Sequence, residues 1–280
     1  MIINGQSDTV YHANPAIGST TAKLWLDSPQ LFKDKRDGVV IRKDSRAFQL
    51  GRAAHLLFLQ PDEFAKAIST GPINDKTGKP YGAETAAYSS WATMNPGKII
   101  LGQRDIDDLN RMQDRMPSQI KDILRSGGVA ESSYYLTLAG VAVKCRPDWI
   151  IDGVIYDLKT IGSMADAEKH ISKFKYWFSH AWYRMIVKAE TGKALPFRFI
   201  FSEKSPPYRW RVVELGADWI GYADWIGYAD VTVDRVLGEI AEAQRTGDYS
   251  DRGDVCMVVE QPAWGDDAEF EDDEEGGISL

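Results

Sequence analysis

Cys145-Arg146-Pro147-Asp148-Trp149-Ile150-Ile151-Asp152-Gly153-Val154-Ile155-Tyr156-Asp157-Leu158-Lys159-Thr160 decides how the chain folds. Val141 to Arg146 alternates small apolar and basic residues, as a strand does. Asp152-Gly153 is a two-residue hairpin signal, and Val154 to Leu158 reads as the return strand. Residues two apart on a strand share a face, so Asp157 and Lys159 project together. The hairpin can bring Asp148 beside them. Two carboxylates and an ammonium would then converge. Hard oxygen ligands suit Mg²⁺, and a lysine can steady an attacking water, as metal-assisted phosphodiester cleavage requires. The plainer reading of Asp-x-Lys is a solvated strand face with an ion pair. Against it stand the apolar Leu158 between the two charges and the position of Asp148 directly before Trp149-Ile150-Ile151.

Composition bounds the alternatives. The 280 residues are 44% hydrophobic and 26% charged, ordinary for a globular protein with a sizeable core. No apolar run is long enough for a membrane span. Met1 to Asp8 lacks the basic and apolar regions of a signal peptide. The expected location is a reducing cytoplasm. Cys145 and Cys256 are too few for a zinc ribbon or a four-cysteine cluster and are expected as free thiols. The net charge of −8 argues against DNA binding only until the tail is considered. Residues 261–280 hold eight acids and no Lys or Arg, so the preceding 260 residues are neutral overall. That tail is expected to be disordered. It is either a solubilising end or a segment that docks a partner or mimics DNA.

Further elements follow in order. Tyr11 to Thr20 reads as an extended arm, Ser19 or Thr20 as the cap of a short helix to about Asp27, and Arg36 to Ser45 as loop. Phe48 to Leu59 reads as a helix stopped at Gln60-Pro61, with Gly51 one turn before His55. Helices are also expected over Ala83–Met94, Gln103–Met116 and Pro117–Leu124. Glu131–Leu138, Val141–Trp149 and Val154–Thr160 form a three-stranded antiparallel meander in this reading. Ala165 to Glu190 is one helix or two, rich in aromatics. Phe197–Phe201 and Arg209–Val213 are strands, which gives an α/β order. Ala217 to Tyr222 is repeated at once as Ala223 to Tyr228, a duplication that lengthens a helix running to about Arg245.

These pieces resemble the RecB-like branch of the PD-(D/E)xK nucleases, and within it the RecE (exonuclease VIII) type of phage and prophage exonuclease. The resemblance covers roughly residues 10–215. Leu50-Gly51-Arg52-Ala53-Ala54-His55, Glu131, Arg146-Pro147-Asp148, Asp157-Leu158-Lys159-Thr160 and Lys175 to Tyr183 carry it. It implies an α/β (α+β) core with a mixed sheet of about five strands flanked by helices, behind a helical N-terminal part. The domains implied are an arm and short helix at 1–45, a nuclease domain at 46–250 and the acidic tail at 261–280. His55, Asp148, Asp157 and the Leu158 carbonyl would hold Mg²⁺, or Mn²⁺ in its place. Lys159 would position the water, with Glu131 a further member of the cluster. Tyr183 matches the tyrosine of a Gln-x-x-x-Tyr helix, but Ser179 stands at the glutamine position and cannot offer an amide's two-sided hydrogen bonding. His180 is a substitute to consider, and Arg184 a phosphate contact.

The activity implied is Mg²⁺-dependent degradation of one strand of linear double-stranded DNA from its 5′ end. The resulting 3′ overhangs would serve recombination by strand annealing. A RecT-like annealing protein and a ring-shaped homo-oligomer are the partners implied, with no membrane. Two rivals remain open: a non-catalytic DNA-binding recombination accessory on the same fold, and a sequence-specific endonuclease.

Overall fold

The computed structural model describes residues 1–41, 45–82, 84–125, 127–216 and 225–251. From the N-terminus it has β1 (Ile2–Ile3), α1 (Asp8–Ala13), α2 (Ser19–Ala22), a 3₁₀ turn (Lys23–Leu26), α3 (Pro29–Arg36), α4 (Arg46–Leu59) and α5 (Pro61–Ala67). An excursion carries β2 (Ile68–Ser69), β3 (Ile73–Asn74), β4 (Lys79–Pro80), α6 (Ala86–Met94) and β5 (Ile99–Ile100). Then come α7 (Gln103–Asp114), α8 (Ser118–Arg125), β6 (Val129–Ala130), β7 (Ser133–Leu138), β8 (Val141–Cys145), β9 (Trp149–Ile151) and β10 (Val154–Ile161). The chain continues through α9 (Ala167–Lys173), α10 (Tyr176–Thr191), β11 (Phe197–Glu203), β12 (Trp210–Val213) and α11 (Trp225–Thr246).

Five strands in the order β12-β11-β10-β9-β6 form the central sheet. β10 and β11 run parallel, joined over α9 and α10, while the other neighbours are antiparallel. The sheet is therefore mixed. Alternation along β10 separates two cores. Ile155 and Ile161 face the layer of α10 and α11, with Phe197, Phe199 and Phe201 of β11 beside them. Tyr156 and Leu158 face the layer of α4, α7 and α8, with Ile200 and Trp210. A sheet covered on both faces needs apolar residues on both sides of its central strands. In β10 that pattern is broken on one face alone, by Asp157 and Lys159 between Ile155 and Ile161.

The hairpin forms as its sequence predicts. Val154 pairs with Ile151 across Asp152 and Gly153, whose φ angles of 50° and 74° are the left-handed pair a tight I′ turn demands. The expected meander does not. β7 and β8 pair with each other but belong to a separate three-stranded sheet, β1-β7-β8. The chain leaves that sheet after Cys145, and Trp149 opens β9 in the central sheet, where β6 is its other neighbour. Arg146-Pro147 is the physical reason: proline has no N–H for a ladder and holds the residue before it extended, so one continuous strand is interrupted there.

Two other expectations change, and the choice between one helix and two in the aromatic stretch is resolved. Residues 11–13 of the supposed arm belong to the helix α1, capped by Ser7, whose Oγ accepts from the Val10 N–H at 3.4 Å, and docked by the buried Tyr11. Ser28-Pro29 ends one helical segment and opens α3, with Ser28 as cap and proline in the first turn, where no donor is missed. The aromatic stretch is two helices, because Lys175 takes a left-handed φ of 50°. The duplication up to Asp224, Cys256 and the acidic tail lie outside the described residues. Among the described residues no helix is long and apolar enough to cross a membrane.

Candidate metal centre

β10 presents Asp157 and Lys159 towards α10, and the chain crossing before β9 turns Asp148 alongside. Asp148 Oδ2 accepts the Leu158 N–H at 2.6 Å, a bond that links the two strands of the Pro-Asp…Asp-x-Lys pattern. Lys159 Nζ lies 2.5 Å from Asp157 Oδ2 and 5.6 Å from the centre of the Tyr176 ring. From the other side of the sheet, α4 sends His55 to the same place. Its Nε2 is 2.9 Å from the Leu158 carbonyl oxygen, and its Nδ1 is 3.7 Å from Asp148 Oδ1. Gly51 is not required for this approach: a Cβ there would meet only Thr160 Oγ1, at 3.9 Å, an ordinary contact.

Burial makes the cluster electrostatically unbalanced. Asp148 and Asp157 are both buried. The Asp148 carboxyl is held well above the usual carboxylate range, first by burial and then by the facing charge of Asp157; Lys159 and the Leu158 N–H oppose this. Glu131 is also raised, by burial and by Asp148 and Asp8. Burial disfavours the charged Lys159, yet Asp157 and Asp148 outweigh it and raise the ammonium's pKa. His55 is lowered by burial and by Lys159, so its imidazole is neutral, the form that ligates metals.

A divalent cation suits this chemistry. Asp157 Oδ2 is buried without a well-aligned hydrogen bond, so Lys159 meets it only as a close ion pair. Two buried carboxylates with too little positive charge between them are what a cation relieves. The 2.9 Å between His55 Nε2 and the Leu158 oxygen is close to the roughly 3 Å between adjacent ligands of an octahedral ion bound at about 2.1 Å. The shell is not pre-closed. Among the described residues, no three His, Cys, Asp or Glu side chains already stand close enough together to hold an ion.

The remaining candidates divide. Glu131 sits in the link between β6 and β7, two residues before β7 begins, in a left-handed conformation with φ 46°, and lies close enough to His55 and Asp148 to feel both. Tyr183 is on the face of α10 that looks to the cluster, and its hydroxyl is raised by burial and by Tyr11, Asp157 and Asp148. Ser179 lies one turn before it, half-buried. Arg184 is not brought in: it pairs with Asp230 of α11 at 3.0 Å, because the next residue on a helix turns about 100° away. His180 fails as a substitute for the same reason. It packs 4.9 Å from the Phe197 ring, and burial and Arg184 lower its pKa to about 3. Sequence reasoning missed Tyr176, beneath Lys159. Its spacing from Ser179 and Tyr183, three and seven residues, is the signal that puts all three on one helical face.

A mixed five-stranded sheet with helices on both faces, carrying Asp and Asp-x-Lys on adjoining strands, is the PD-(D/E)xK nuclease fold. The chain belongs to the family described as a PDDEXK-like domain of unknown function (DUF3799), which matches residues 18–257. Among solved structures it is similar to the crystal structure of a "Putative exonuclease" from Eubacterium rectale, with a TM-score of 0.61 and 18% identity over 94% of this chain and 96% of that one. A second structure, SSO0001, aligns with a TM-score of 0.30 and 11% identity over 79% of this chain and 86% of that one, too distant to argue from. A search of curated proteins finds no match. The family and the fold together support a nuclease.

Proposed function

We propose that this protein is a metal-dependent exodeoxyribonuclease that degrades one strand of linear double-stranded DNA, 5′ to 3′, leaving 3′ overhangs for recombination by strand annealing. The observation that carries the proposal is the meeting of His55, Asp148, Asp157 and Lys159 at one point of the sheet, on the Leu158 peptide unit. The neighbour's name as an exonuclease is consistent with it. His55, Asp148, Asp157 and the Leu158 carbonyl would hold Mg²⁺, or Mn²⁺. When bound, the ion supplies Lewis-acid activation of water and neutralises charge on the scissile phosphate.

The chain's own groups do the rest. Lys159 stabilises the hydroxide equivalent that attacks phosphorus, while the P–O3′ bond breaks and the departing oxygen takes a proton. Asp148 and Asp157 would hold the ion, and the Leu158 N–H orients Asp148. Tyr183, on the face of α10 that looks to the cluster, would lie beside the DNA backbone. A RecT-like annealing protein and a ring of several copies around the duplex belong to the same proposal.

The test is a duplex labelled at its 5′ or 3′ end, with and without Mg²⁺, beside a covalently closed circle. Mg²⁺-dependent loss of the 5′ label first, with the circle intact, is the expected result. Cutting of the circle would overturn the exonuclease reading in favour of an endonuclease. An inert wild-type protein would overturn catalysis altogether.

A further inference from the structure

Arg146 is nearly as buried as the carboxylates and touches none of the cation ligands. Its bonds run elsewhere. Nε donates to the Glu131 carbonyl at 3.0 Å, Nη1 reaches Asp8 Oδ1 at 2.5 Å, and Nη2 donates to the Gln6 carbonyl. Glu131 Oε2 is 3.8 Å from Nη1, and the guanidinium lies 4.9 Å from the centre of the Tyr11 ring. Two residues earlier, near the end of β8, Lys144 Nζ donates to the carbonyls of Tyr11 and Asn14, each at 2.7 Å. Two basic side chains of the β8 edge thus bind residues 6–14. Beyond these bonds, Gln6 Oε1 accepts from the Tyr135 hydroxyl at 2.7 Å and Tyr11 packs against the Tyr135 ring, while α1 itself is six residues long and buries Tyr11 alone, too short to be stable unaided. Arg146 stands two residues before Asp148, at the point where the chain changes sheets, and it grips the backbone of Glu131 on the opposite side.

We propose that Arg146 is a positioning residue: with residues 6–11 docked on one side and the Glu131 main chain on the other, it fixes the sheet crossing that aims Asp148 and Glu131, so that cation binding depends on the N-terminal segment being in place. This rests on the proposed metal centre. Asp8 is the exposed end of the network and Tyr11 its apolar end.

The experiment measures Mn²⁺ affinity of the full chain by titration calorimetry, with apo melting temperature recorded alongside, for wild type, Arg146→Met, Arg146→Lys, Asp8→Asn and Tyr11→Leu. The expected losses are about 10- to 100-fold for Arg146→Met, in the range seen when a partner that orients a metal ligand is removed, with partial recovery in Arg146→Lys. Asp8→Asn and Tyr11→Leu should each weaken binding by a smaller factor of the same sign. Nuclease assays should then show half-maximal activity at higher Mn²⁺ with unchanged kcat at saturation, which a merely destabilised fold would not give. Arg146→Met may be replaced in the comparison by the Asp8 and Tyr11 variants if it does not fold. Wild-type Mn²⁺ affinity in folded Asp8→Asn and Tyr11→Leu would overturn the inference. No Mn²⁺ binding by wild type would overturn the metal centre itself.

Discussion

Asp157 and Asp148 differ in what their loss should do. Asp157→Ala should lower cleavage by about 10³-fold or more while circular dichroism stays that of wild type. Unchanged Mg²⁺-dependent degradation by that variant would sink the assignment. Asp148→Asn should also abolish cleavage, yet it should raise apo stability by roughly 1 kcal/mol, as replacing a strained functional group commonly does. Its carboxyl is raised by burial and by Asp157. A raised folded-state pKa adds stability that is fully present below the unfolded carboxylate value, near 4, and is lost as pH rises through the folded value. The melting-temperature gap between Asp148→Asn and wild type, measured without metal, should therefore widen as pH rises from about 4. Metal binding requires the ionised carboxylate and releases its proton, so Mg²⁺ affinity of wild type should increase over the same window. A gap independent of pH would contradict the buried-carboxylate account.

Elements position these residues through a few close approaches. At Gly128 an added Cβ would stand 2.4 Å from the Trp149 indole nitrogen, which donates to the Ile123 carbonyl at 2.8 Å. Gly128→Ala must shift a packed ring that immediately follows Asp148. The expected cost is about 1–3 kcal/mol, with a metal affinity lower than wild type; denaturant unfolding and Mn²⁺ titration check both. The hairpin turn, its return strand and the helix bearing His55 were legible in the sequence because turn chemistry and periodicity are local. The division of the meander between two sheets was not, since strand alternation says nothing about which neighbour a strand will choose. Arg146-Pro147 was the available clue. Within the site, Asp157 and Lys159 followed from the period of a strand alone. The reach of His55 across the sheet to Leu158 came from the resemblance, because no local pattern joins residues from different layers. Arg184 failed where adjacency in sequence was taken for adjacency on a helix.

At the scale of the whole molecule, the N-terminal helices pack onto α11 and the residues that directly follow it. Trp25 Nε1 donates to Glu239 of α11 at 2.6 Å, and Ser28 Oγ to Asp251 at the same distance. Val233, Val236 and Ile240 of α11 complete the core that backs Asp157. A cation that binds only the folded chain should stabilise all of it together, by about 2.7 kcal/mol at a hundred times its Kd. A single, cooperative rise in melting temperature with Mn²⁺ is the expected result, absent in Asp157→Ala. Two separate transitions, with only one moved by metal, would show that the layers are not one cooperative unit.

His55 meets the Leu158 carbonyl from 103 positions away, and β10 finds its parallel neighbour only once β11 exists. Such distant pairings form late and slowly. During translation, the imidazole leaves the ribosome long before the strands that give it a use. A polypeptide stalled before about residue 203 has Asp148 and Lys159 on a hairpin without its supporting neighbour. Incomplete synthesis should therefore yield fragments in which the site around Leu158 has not yet been assembled.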